Sequence, residues 1–134
     1  MGDDCIFCAI AAGEGPAAML DEDEHTVAFL DINPWTRGHA LVIPRAHSRD
    51  LLEIEDADLA ATATAAKRLA ARLKERLDAD GVNLVNACGA AAWQSVFHFH
   101  IHVIPRYEDD PLQLPAVPQQ ADPDVLAALV EELR

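Results

Sequence analysis

Gln94-Ser95-Val96-Phe97-His98-Phe99-His100-Ile101-His102-Val103-Ile104-Pro105-Arg106 decides how the rest of the chain is read. Its composition predicts a strand over 97–104. Side chains alternate with period two in a strand, so His98, His100 and His102 share one face and Phe97, Phe99, Ile101 and Val103 the other. Half of the 6 histidines of the chain fall in this one segment. Imidazole is a costly core filler, because each buried nitrogen needs a partner. It suits chemistry near neutral pH, as nucleophile, proton carrier or metal ligand. The bland alternative is a solvated polar face that happens to be His-rich, and the clustering of titratable groups weighs against it.

Outward from that strand, the 134 residues favour one domain, 1–134, with one core. The net charge of −13 argues against nucleic acid polymers, which are held by clustered Lys and Arg. A small phosphorylated ligand needs only a local cluster of donors and stays open. No apolar run is long enough to span a bilayer, so no membrane partner is expected. Met1-Gly2-Asp3-Asp4 lacks the charged-then-apolar order of a signal peptide. Three cysteines, an odd number, suit a reducing compartment better than a disulfide framework, and a cytoplasmic protein is expected. Cys88 stands alone in an apolar stretch and reads as a small buried residue.

A short helix is expected over 5–12, ending at Gly13, then strands over 17–20 and 25–30 around the acidic turn Asp21-Glu22-Asp23-Glu24. Residues 31–38 have turn chemistry, and 39–43 read as a strand closed by Pro44. A long helix is expected over 56–77. Leu59, Ala63, Ala66, Ala70, Leu73 and Leu77 recur at helical spacing, with acids at its start and bases near its end, as the helix dipole favours. Strands over 82–87 and 97–104 flank a loop over 88–93. Residues 108–121 are Pro-rich and irregular, and Asp122-Pro123 opens a short helix over 123–132. The fold class is α+β, a mainly antiparallel sheet of about five strands with one long helix on a face.

Three separated motifs then carry a resemblance over roughly 4–106. They are Cys-Ile-Phe-Cys-Ala-Ile at 5–10, Phe-Leu-Asp-Ile-Asn-Pro at 29–34 with His-Ala-Leu-Val-Ile-Pro-Arg-Ala-His at 39–47, and the 94–106 block. In this order and spacing the chain resembles the histidine triad (HIT) family of nucleotide hydrolases and transferases, in its bacterial Hint-like branch. The resemblance implies a HIT-like fold and a purine nucleoside phosphoramidate or dinucleotide hydrolase that releases a nucleoside monophosphate. His100 would attack the α-phosphorus to give a nucleotidyl-histidine, splitting one hard displacement into two easier ones. The backbone carbonyl of His98 would hold its other nitrogen. His102 would lie against the phosphate, and Gln94 and Ser95 near phosphate and leaving-group oxygens. Asp31 would take the ribose hydroxyls, and Asn86 would add a polar contact. Ile6, Phe7, Ile10, Phe29, Leu30 and Ile32 would line the base pocket, although core packing explains each apolar residue by itself.

Cys5 and Cys8 have C-x-x-C spacing. With His47 and His98 they make a two-thiolate, two-imidazole set of the kind that holds structural zinc, and the resemblance implies these histidines as ligands. The alternative is a pair of half-buried thiols on a helix. A redox pair is disfavoured, since no thioredoxin-like βαβ pattern surrounds it. Trp93 stands where the family has a small residue, Leu30 where the Hint branch has a histidine, and the 107–134 tail matches no family pattern. His102, in place of the glutamine of nucleotidyl-transferase relatives, favours transfer to water. The resemblance also implies a homodimer and an AMP-like small-molecule partner. A diadenosine polyphosphate hydrolase or phosphorylase, a non-catalytic nucleotide sensor, and a metalloenzyme using the triad as ligands are the other readings.

Overall fold

The computed structural model describes residues 5–114 and 116–134. Residues 1–4, the acidic start, and Pro115 of the irregular tail lie outside the described residues. The elements run α1 (Ile6–Ala11), β1 (Met19–Glu22), β2 (Thr26–Leu30), β3 (Ala40–Pro44), α2 (Asp56–Leu77), β4 (Gly81–Val85), β5 (Ile101–Arg106) and α3 (Pro123–Leu133). A five-stranded sheet has the order β1-β2-β3-β5-β4, and every neighbouring pair is antiparallel. The α+β class and the helix over 56–77 are as expected from the sequence.

The two faces of the sheet bury different sets of side chains. Ala28, Ala40, Val42, Ile101 and Val103 pack with Phe99 against Ala65, Ala66, Leu69 and Leu73 of α2. Val27, Phe29, Leu41 and Ile43 pack with Phe7 of α1. The long helix therefore covers one face and the short N-terminal helix part of the other. His102 is in register with Leu41 and Val85, on the α1 side.

The buried stripe of α2 is Thr62, Ala65, Ala66, Leu69 and Leu73, whereas Ala63 of the expected stripe is exposed. Thr62 is the reason for the offset. Its hydroxyl donates to the Asp58 carbonyl at 2.7 Å, so a polar residue can sit on the core face. The helix ends on Asp78 in the left-handed region, three residues before Gly81.

Every strand differs from its expected bounds, and three of them by two residues or more. β1 lies at Met19–Glu22 and takes in part of the acidic turn. Arg68 and Arg72 of α2 pair with Asp21, and Arg72 also donates to the Leu20 carbonyl, so these acids are held in a strand. β5 begins at Ile101 instead of 97, and β4 ends at Val85 instead of 87. The Asn86 side-chain amide donates to the His100 carbonyl at 2.9 Å, and the Phe99 amide donates to the Ser48 carbonyl at 2.7 Å. These bonds replace the ladder, and the chain through 97–100 bends and stays outside the sheet. The 88–93 loop contains a 3₁₀ turn, Ala90–Ala92, closed by Trp93 at φ 78°.

The side chains of α3 are all exposed, including the apolar Val125, Leu126, Leu129 and Val130. No helix among the described residues is long and apolar enough to cross a membrane.

Gly38, just before β3, sits at φ 91°, and a Cβ there would collide with Leu77 Cδ1 and crowd the Pro105 ring. Gly38→Ala is expected to lower stability by about 2 kcal/mol or more, read from the shift in denaturation midpoint.

Candidate active site and metal centre

The three triad histidines all lie on the α1 side, although only His102 belongs to β5, and each enters a different environment. His98 is completely buried. Its Nε2–H donates to the Pro44 carbonyl at 2.8 Å, which leaves Nδ1 bare. Nδ1 faces Cys5 Sγ at 3.3 Å, Cys8 Sγ at 3.5 Å and His47 Nδ1 at 3.2 Å. One ligand atom from each of the four residues lies within 4.8 Å of the others. Two thiols and two imidazoles at this spacing could hold a metal ion. The bond to Pro44 supplies the outer support that orients a ligating imidazole. Burial and the neighbouring Cys5 thiol push the Cys8 thiol up to about 11, a thiolate cost that a cation would reverse. Cys5 caps α1 by accepting the Cys8 amide at its sulfur, so the helix start and the cluster are one feature.

His100 is buried with its Nδ1–H donating to the His98 carbonyl at 2.8 Å. Nε2 is then the free nitrogen, with its lone pair available. Burial lowers the pKa of this ring, and the His98 carbonyl and Asp31 oppose that shift. The Phe7 ring packs edge-on against it, with centroids 5.2 Å apart.

His102 is governed by His39, which the sequence reading left out of the site. The Trp35 amide donates to His39 Nδ1 at 3.0 Å, so the His39 proton sits on Nε2. That N–H donates to His102 Nδ1 at 2.9 Å, with Asp31 Oδ2 at 3.6 Å from the same nitrogen. His102 is thereby fixed with its proton on Nε2. Burial, with His100 and His39 adding to it, lowers its pKa to about 4. It is a neutral donor at pH 7 and not a charged acid. Asp31, His39 and His102 also converge closely enough to suggest a second metal group. The hydrogen bond between the two imidazoles already accounts for that closeness. The one signal for His39 in the sequence was its place at the head of the apolar run His39-Ala40-Leu41-Val42-Ile43.

A cavity of about 410 Å³ opens beside His100 and His102. Ile6, Phe7, Ile10, Phe29, Leu30, Asp31, Ile32 and Ser95, all named from the sequence, line it. Asn86 and Gln94 do not. Asn86 lies behind the His100 backbone, which its amide holds. Gln94 is buried, its amide nitrogen donating to the carbonyls of Arg49 and Val96 and its oxygen accepting the Gly89 amide. Its side chain stitches the 89–96 loop to the 48–49 segment and has no donor left for a phosphate.

Residues 12–109 match the HIT domain family model. The chain belongs to the HIT family. An uncharacterized HIT-like protein of Methanocaldococcus jannaschii is 48% identical over 106 residues, 79% of this chain and 81% of that one. The crystal structure of a histidine triad nucleotide-binding protein from Candida albicans matches with a TM-score of 0.85 and 34% identity, covering 97% of this chain and 94% of that one. The crystal structure of a Zn-bound histidine triad family protein from Mycobacterium smegmatis matches with a TM-score of 0.80 and 39% identity, covering 98% and 99%. Membership places this chain in a superfamily of nucleotide-binding proteins and hydrolases.

His39, His100 and His102 all have pKa values held below the ordinary 6.5 by burial. The unfolded chain therefore binds more protons than the native one just below that value. Stability is expected to be full above about pH 6.5 and to fall toward pH 4. Replacing His102 by Gln should flatten that fall, measured as Tm against pH.

Proposed function

We propose that this protein hydrolyses the bond between a nucleoside monophosphate and its leaving group through a nucleotidyl-His100 intermediate, with adenosine phosphoramidates or dinucleotides as the substrate class. The observation that carries the reading is the 2.8 Å bond from His100 Nδ1 to the His98 carbonyl, which leaves Nε2 bare beside an apolar pocket holding one carboxylate, Asp31. Ile6, Phe7, Ile10, Phe29, Leu30 and Ile32 receive the base, and Asp31 accepts the ribose hydroxyls. In the first step the Nε2 lone pair forms a bond to the α-phosphorus while the phosphorus–nitrogen or phosphorus–oxygen bond to the leaving group breaks. The leaving group keeps that electron pair and takes up a proton from solvent, to which the water of the second step returns one. In the second step a water oxygen attacks the same phosphorus, the bond to Nε2 breaks, and the water gives up a proton. His102 Nε2–H and the Ser95 hydroxyl donate to phosphoryl oxygens, where fixed donors lower the barrier most. Gln94 and Asn86 act by holding backbone that carries Arg49, Val96 and His100.

Cys5, Cys8, His47 and His98 would hold structural Zn2+. The ion would clamp α1 and the 44–48 segment onto the triad strand and supply no reacting group. An assembly as a homodimer, in keeping with the family resemblance, would offer cover for the apolar side of α3. The three cysteines are free, which suits the cytoplasm.

Quench-flow mass spectrometry with an adenosine phosphoramidate should show a transient adduct of one AMP unit on the peptide containing His100. His100→Ala should lower kcat by at least about a thousandfold with the far-UV spectrum unchanged, as expected when a nucleophile is removed. AMP binding without turnover across several leaving groups would favour the sensor reading instead.

Elemental analysis should find one zinc per chain, absent from Cys5→Ser and Cys8→Ser. Chelation should lower Tm by on the order of 5–10 °C, and zinc added back at pH 7 should release protons from the thiols.

A further inference from the structure

Beside the nucleotide pocket lies a second, open groove of about 620 Å³. The two share Ile6, Ser95 and Val96. With the α-phosphate between His100 and Ser95, this groove begins where a leaving group must exit. We propose that it is the leaving-group subsite, and that Arg49 selects leaving groups whose far end carries an oxyanion. The proposal rests on the hydrolase reading above.

Arg49 is the one Lys or Arg that lines either cavity among the described residues. Its backbone is held from both sides. The amide donates to Glu53 Oε1 at 2.7 Å and the carbonyl accepts from Gln94 Nε2 at 2.9 Å. The neighbouring Ser48 carbonyl accepts the Phe99 amide. The guanidinium lies over the Phe97 ring, its carbon 4.9 Å from the centroid. That stacking accounts for Phe97, which left the sheet face expected of it and now forms the groove wall. A stacked guanidinium is a preorganised fork for a carboxylate or phosphate.

The competing acids leave that fork available. Asp50 Oδ2 is 3.8 Å from Arg49 Nε, beyond hydrogen-bond range, and its Oδ1 already accepts the Leu52 and Glu53 amides. Glu53 turns one oxygen onto the Arg49 amide. By contrast Arg45, Arg68 and Arg106 each donate to a carboxylate at 2.8–3.3 Å away from the groove. In a chain of net charge −13, this one cation at the exit marks where an anionic group would be tolerated.

The test compares adenosine phosphoramidates of butylamine, of γ-aminobutyrate and of aminopropyl phosphate. The wild type should turn over the two anionic compounds with kcat/KM roughly tenfold above the neutral one, the scale of one charge-assisted contact. Arg49→Ala should remove that preference while leaving the butylamine compound within about twofold, and Arg49→Lys should restore part of it. High salt should shrink the preference in the wild type only. Preference for one anion over the other tells carboxylate from phosphate leaving groups. Equal rates for all three in the wild type, or a preference that survives in Arg49→Ala, overturns the proposal. If no compound turns over, the hydrolase reading fails, and the same three are titrated as ligands. Tighter, Arg49-dependent binding of the anionic pair then upholds Arg49 as the anion contact of the groove while the leaving-group role falls with the hydrolase reading, and equal binding overturns both.

Discussion

Each buried imidazole in this protein has one nitrogen committed to the backbone. Pro44 takes the Nε2–H of His98, the His98 carbonyl takes the Nδ1–H of His100, and the Trp35 amide occupies Nδ1 of His39. A neutral imidazole has one donor and one acceptor, so fixing either nitrogen decides the other. Four rings that would otherwise be interchangeable become different groups. His98 offers a bare nitrogen to two thiols, His100 a bare nitrogen to the cavity, and His102, through His39, an N–H to the cavity. The sequence supplies the histidines, and the carbonyls and amides around them assign their work.

That assignment also explains why the triad strand does not stay in the sheet over its whole length. If 97–100 followed the β5 ladder, the His98 and Phe99 backbone groups would be used by neighbouring strands. Instead Phe99 bonds to Ser48 and Asn86 takes the His100 carbonyl. The cost is local: Asn86 Oδ1 is buried without a partner. The result is a short irregular segment in which bonds to Pro44, Ser48 and Asn86, and not pleating, set His98 and His100.

Much of this was legible in the order of the residues. Alternation put the three histidines on one face, and Phe99, Ile101 and Val103 do pack on the opposite one. The C-x-x-C pair and His47 meet His98, the set that the family resemblance implied. The apolar residues of 5–10 and 29–32 meet around one cavity. What could not be read depends on bonds between distant backbone groups. Gln94 has the chemistry of a phosphate contact, and only its three backbone partners show that it is a brace. His39 reads as the first residue of an apolar strand, and only its 2.9 Å contact with His102 gives it a role. The offset of the α2 stripe has the same origin, since one hydroxyl bond from Thr62 lets a polar residue take a core position.

The short helix α1 and its N-cap Cys5 serve two sites at once. Cys5 and Cys8 face the sulfur and imidazole cluster, while Ile6, Phe7 and Ile10 wall the cavity, with the Phe7 ring against both His98 and His100. So short a helix has little stability of its own and is ordered by what it touches. A cation that ordered it from one side would lower the entropic cost of binding an apolar ring on the other, and thermodynamic reciprocity would then have the occupant of the cavity tighten the cation by the same factor. The two sites have no ligand in common, and this one helix is what would link them.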